Sequence, residues 1–279
     1  MDPTTQTIAF LIIMLAVVAV MIGAAVVIRQ RSRARQLGID ERNVMPLRDI
    51  DAYEVIPRMV GLAVEADRPV LISTGASTIG DDRTVVALAS LALAYYTTQE
   101  MAVGNTAPVL VTNQTLMVPL ASDMLKRAYL SMNQPVRTNL ASVRWYGTLQ
   151  EQSLVYAAML TATMAAEEVT GNLLLGNYGY EIGLVLGAAQ RKGITSVAGS
   201  DDPVGQAVAY GMADSALIGE DIFSPVGYLG TGAGERGSLL AQDFLRGAII
   251  VGILVVAAVE VAGEQVVGVL QPLLGFFGG

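Results

Sequence analysis

Three acidic pairs, Asp81-Asp82, Asp201-Asp202 and Glu220-Asp221, are the groups in this chain best placed to do ionic chemistry. The chain has no cysteine and no histidine. Disulfides, thiolate nucleophiles, Ser-His-Asp triads, and zinc or haem held by those side chains are therefore excluded. A metal would have to be a hard divalent cation bound by oxygen, with Asp81, Asp82, Asp201, Asp202 and Glu220 as its candidate ligands. The competing account is that each pair caps a helix, where a carboxylate meets the positive end of the helix dipole. A general base would have to be a carboxylate, a tyrosine, or one of the chain's two lysines, Lys126 and Lys192. Those restrictions weigh against a conventional hydrolase or redox enzyme.

A second set of residues is polar or glycine. Residues 73–84, STGASTIGDDRT, offer Gly75, Ser77 and Thr78. Residues 176–183, GNYGYEIG, offer Gly176, Asn177 and Gly179. Asn113, with Gln114 and Thr115 beside it, and Ser200 complete a rim suited to a small polar metabolite or a nucleotide. No lysine follows in a P-loop pattern, and GNYGYEIG does not match Gly-x-Gly-x-x-Gly, so neither nucleotide fingerprint is present. Arg83 is almost the only basic residue of this rim.

All these residues fall at the ends of short apolar runs that alternate with helical patterns. Strands are expected over 68–74, 107–113, 141–147, 172–176, 194–199 and 215–220. Helices are expected over 51–67, with an interruption at Pro57, and over 83–102, 116–132, 152–169, 181–193 (closed by Gly193) and 203–213. Strands without polar alternation, separated by helices, indicate a mostly parallel sheet covered on both faces. The fold class is therefore α/β, Rossmann-like or flavodoxin-like, with about five to six strands, and ligands are expected beyond the carboxyl ends of the strands.

The flanks are of another kind. Residues 8–28 are 21 without a charge, long enough to cross a hydrocarbon core of about 30 Å. A signal peptide would have a basic start and a shorter apolar core; here the start carries Asp2, and Arg29, Arg31, Arg33 and Arg35 follow the run. By the positive-inside rule both termini lie outside and the main domain is cytoplasmic. A second span is expected over 247–267. Starting at the inner surface, it puts Glu260 about 20 Å and Glu264 about 26 Å along the helix, in the outer third of the membrane. Glu260 then calls for a protein-lined environment, since a lipid-facing carboxylate at that depth is unfavourable. Ala19-x-x-x-Gly23 and Ala258-x-x-x-Ala262 are small-residue faces suited to close helix packing.

The expected layout is an outside tail (1–7), a first span (8–28) and a basic stop-transfer and linker (29–50). The α/β domain (51–226), a Gly-rich hinge (227–246), a second span (247–267) and an apolar tail (268–279) follow. Residues 36–245 hold 12 basic and 22 acidic residues, a net charge near −10, which argues against nucleic acid as a partner. The helix over 152–169 is apolar nearly all round and rich in small residues (Ala157, Ala158, Ala162, Ala165, Ala166), which suits self-association.

Three functions fit. The first is a membrane-anchored, self-assembling scaffold or a subunit of a membrane complex, partnered by lipid and by a copy of itself or another membrane protein. The second is an ion-conducting or ion-sensing oligomer with Glu260 and Glu264 as acidic collars. The third is a tethered domain that binds a small ligand in the strand-end crevice.

Overall fold

The computed structural model describes residues 47–135, 143–147, 153–230 and 233–262, and before them only Leu15, Gly23 and Val26. It divides into two compact units, residues 49–232 and the remainder.

The larger unit begins with α1 (Asp51–Ala66), β1 (Val70–Gly75), α2 (Thr84–Met101), β2 (Val109–Thr112), α3 (Met117–Ser131) and β3 (Val143–Trp145). It continues with α4 (Ser153–Ala166), β4 (Gly171–Asn177), α5 (Ile182–Lys192), β5 (Thr195–Ser200), α6 (Pro203–Met212) and β6 (Ser215–Leu217). A 3-10 turn (Gly219–Phe223) and the short α7 (Pro225–Leu229) close it. All six strands are parallel, in the order β3-β2-β1-β4-β5-β6. That order is the Rossmann one, and it settles the choice left open between Rossmann-like and flavodoxin-like. The chain first builds outward from β1 through β2 to β3, then returns to build outward from β4. The reversal lies between β1 and β4, so their carboxyl ends diverge into different loops.

The apolar character of the strands follows from burial on both faces. Every residue of β1 and β2 is buried, and in β4 all but the last. One face is covered by α1, α2 and α3, through side chains such as Ile56, Leu91, Leu93 and Leu125. The other is covered by α4, α5 and α6, through Leu160, Met164, Val185, Leu186 and Ala209.

Several local expectations change. α1 runs through Pro57 without interruption, because the ring lies on the helix's exposed side while Ala52, Tyr53, Ile56, Met59, Val60 and Ala63 bury the other. Gly193 closes α5 in the left-handed conformation, φ 66°, as expected. The last strand stops at Leu217, so Glu220 belongs to the 3-10 turn instead of a strand end. Of the stretch 227–246, residues from Ala233 onward are helical.

The smaller unit contributes α8 (Ala233–Ala262), while Leu15, Gly23 and Val26 are helical. Among the described residues no helix is long and apolar enough to cross a membrane. The first expected span, 8–28, lies outside them save for those three residues. The second enters α8 at Gly247 and passes beyond Ala262, the last described residue.

Candidate functional site

The site is built where β1 and β4 end side by side. Their pairing runs in register from Val70↔Gly171 to Ser73↔Leu174, then slips so that Gly75 faces Asn177. Gly75 has φ +59°, and a Cβ there would overlap the Asn177 carbonyl and the ring of Tyr178. A Cβ on Gly176 would overlap the Thr74 carbonyl and stand 2.8 Å from Ser77 Oγ. The two backbones therefore touch, and only glycine fits on either side.

Polar residues lock this seam. Ala76 N donates to the Asn177 carbonyl (2.9 Å), and Asn177 N donates to Ser77 Oγ (2.8 Å). Ser200 Oγ accepts from Tyr178 N (3.0 Å) and Asp202 N (3.1 Å) and donates to the Tyr178 carbonyl (2.7 Å). Beneath runs a buried hydroxyl chain. Tyr178 O–H donates to Ser73 Oγ (2.7 Å), which lies 2.7 Å from Tyr156 Oη, and Tyr156 O–H donates to the Val111 carbonyl (3.4 Å). Burial is the main cause that pushes both tyrosine hydroxyls above their ordinary pKa, so they remain hydrogen-bond donors rather than bases.

Above the seam is a cavity of about 240 Å³. Four parts of the chain line it: Ala76 and Arg83 after β1, Asn113 and Gln114 after β2, Ser153 and Tyr156 in the first turn of α4, and Asn177 at the end of β4 with Gly179 and Glu181 after it. Asn177 Nδ2 donates to Asp201 Oδ1 at 2.7 Å. Burial raises the Asp201 pKa; the Asn177 hydrogen bond and the positive charge of Arg83 oppose the shift. Glu181 is 8% exposed, and its Oε1 accepts from Gly179 N at 2.9 Å.

Of the ligand candidates read from sequence, Asn113, Asn177 and Gly179 line the cavity. Gly75, Ser77, Gly176 and Ser200 are buried beneath it, where they hold the loops in place. Thr78 is half-buried in the same loop, off the cavity wall. Gln114 and Arg83, noticed only as parts of the rim, prove to be wall residues. Ser153, Tyr156 and Glu181 were missed. The signal for Glu181 was its place at the start of a helix directly after a glycine-rich strand end.

The metal candidates separate. Asp81 Oδ1 accepts from Arg83 N (2.9 Å) in the turn entering α2, and Asp202 caps α6 by accepting from Val204 N (2.7 Å). Asp82 is exposed beside Asp81, Asp201 is bonded to Asn177, and Glu220 lies beyond β6 at the sheet's edge. Among the described residues no three acidic side chains come together to hold a metal ion. Asp81 and Asp202 are thus engaged locally at helix starts. Of the residues assigned to membrane and assembly, Ala258, Glu260 and Ala262 fall in α8 and Gly23 is helical, while Ala19, Glu264 and the four arginines lie outside the described residues.

Fold and site together define a Rossmann-like α/β domain with a polar crevice at its switch point. The chain belongs to the family described as Domain of unknown function (DUF6754), whose model matches residues 3–270. No curated protein and no solved structure matches it at a significant level.

Proposed function

We propose that this protein is a membrane-tethered domain that binds a small polar ligand in the crevice between β1 and β4, without covalent chemistry. The observation that carries the reading is the cavity itself. It sits where open α/β sheets take their ligands, and four separate parts of the chain supply its polar wall. Its tyrosine hydroxyl is held protonated and hydrogen-bonded from below, which suits positioning a ligand rather than attacking it. The tether rests on the uncharged run 8–28 and on α8, where Ile249, Ile250, Val251, Ile253 and Leu254 are all exposed. Exposed aliphatic side chains over so wide an arc of a helix call for lipid or another helix against them.

The test is thermal melting of the full-length protein in mild detergent against a panel of small metabolites and nucleotides. A ligand at a hundred times its Kd should add about 2.7 kcal/mol. Gln114→Leu, on the cavity wall, should reduce that gain while leaving the unliganded melting temperature alone. The absence of any shift across a broad panel would count against the reading.

Self-association is a second reading, favoured by the outer face of α4. Leu154, Val155, Ala158, Met159, Ala162, Ala165 and Ala166 are all exposed there, and none is polar. A copy of the chain would cover this face. The mass in mild detergent should then be that of an oligomer, and Met159→Glu should reduce it to a monomer; a monomeric wild type sinks the reading.

A further inference from the structure

The crevice is poorly made for a phosphate. Five helices, α2 to α6, begin at this edge of the sheet, and a carboxylate of the chain stands at three of the starts. Asp81 lies two residues ahead of the N-cap of α2, Glu181 is itself the N-cap of α5, and Asp202 is the N-cap of α6. Phosphates favour helix starts because the backbone N–H groups and the dipole there attract negative charge. At these three starts a phosphate would meet negative charge instead, and among the described residues Arg83 is the only basic side chain on the cavity wall.

Among the described residues the cavity wall carries one acidic and one basic side chain, Glu181 and Arg83. Glu181 is more than nine-tenths buried and lines the wall, yet only Oε1 is engaged, by Gly179 N. Oε2 makes no hydrogen bond among the described residues. The missing side chain of Gly179 keeps it open, because a Cβ there would stand 2.8 Å from Oε2. Arg83 lines the same cavity, and its guanidinium makes no hydrogen bond or ion pair among the described residues. Asp201 feels that positive charge from beyond pairing distance and is bonded to Asn177. A buried carboxylate is costly unless a counter-charge or further donors meet it. A ligand with only a negative charge would be repelled by Glu181, and one with only a positive charge would leave Arg83 unanswered.

Resting on the reading that the crevice binds a ligand, we propose that the ligand is a small dipolar molecule of α-amino-acid size. Its ammonium group sits on Glu181 Oε2 and its carboxylate on Arg83. Asn113, Gln114 and Asn177 line the same cavity. A cavity of about 240 Å³ suits a molecule of this size.

The probes are the common L-amino acids, ADP, NAD, putrescine and succinate, each tested by melting of the full-length protein in mild detergent, with calorimetric titration of any that shift it. One amino acid, or a few of similar shape, should raise the melting temperature. Its decarboxylated and deaminated counterparts should bind about tenfold or more weakly, as losing one charge-assisted pair requires. Glu181→Gln and Arg83→Met should each weaken binding by about the same factor, with the unliganded melting temperature little changed. If Glu181→Gln does not fold, Gly179→Ala crowds the same oxygen and should weaken binding selectively for ligands with an amine. Binding of ADP or NAD instead, or equal affinity for the single-charge counterparts, overturns the dipolar assignment and leaves the ligand-binding reading standing. Binding of no probe overturns both.

Discussion

An alanine at Gly176 is expected to remove about 3 kcal/mol of stability and about 6–12 °C from the melting temperature. The new Cβ would land on the Thr74 carbonyl and press on Ser77 Oγ. Neither can withdraw easily: Thr74 is in a fully buried strand, and Ser77 Oγ holds Asn177 N across the seam. Gly211→Ala provides the control, since nothing lies within 4 Å of a Cβ there. It sits in α6, where exchanging glycine for alanine should be stabilising by about 0.5–1 kcal/mol. The comparison separates two roles for Gly176. A glycine kept for close approach of a ligand would give a variant that melts normally and binds poorly; a glycine kept for the seam gives one that melts early. A normal melting temperature would remove the seam account.

Ser73→Ala should cost about 2–3 kcal/mol, more than its small volume suggests. The hydroxyl accepts the Tyr178 hydrogen bond and lies 2.7 Å from Tyr156 Oη, fully buried from solvent. Without it Tyr178 O–H is buried with no acceptor. Tyr178→Phe should cost less, about 1 kcal/mol, because it removes the orphaned group itself and leaves Ser73 and Tyr156 bonded. In the double variant the two effects should fall short of their sum, which a mutant cycle measures. Equal single effects with full additivity would mean that the chain is not a connected unit. The same chain sets an alkaline limit. The folded state holds both phenolic protons more tightly than the unfolded state does, because both pKa values are raised. As pH rises through the ordinary tyrosine range near 10, the unfolded chain loses protons first and stability falls.

Much of this architecture could be read from apolar runs such as PVLIST and NLLLG, which carry no polar alternation because helices cover both sides of their strands. Strand order could not be read. Rossmann-like and flavodoxin-like chains share the same local alternation, and they differ in which strand β1 accepts as its second neighbour. The site was half legible for a related reason. Gly75, Ser77, Gly176 and Ser200 were correctly placed at strand ends, but whether such a residue faces a ligand or the next strand depends on pairings across the sheet. Ser77 bonds a backbone N–H 100 residues away, which no local pattern records. Glu181 was overlooked because an acid at a helix start is ordinary; its burial and its second, unengaged oxygen appear only in three dimensions. For Asp81 and Asp202 the local pattern says more, since each bonds a backbone N–H two residues on, Arg83 N and Val204 N.

The β1–β4 seam also bears on how the chain reaches its fold. β1 with β2, and β4 with β5, are strand–helix–strand units whose partners lie close in sequence, so each can close early. The seam joins Ser73 to Tyr178 across 105 residues, and closing so long a loop is the slow step for any chain. The floor of the crevice is therefore expected to be the last part of the sheet to form. A molecule held there would bind only chains in which both halves have already met, acting as a latch on the finished fold.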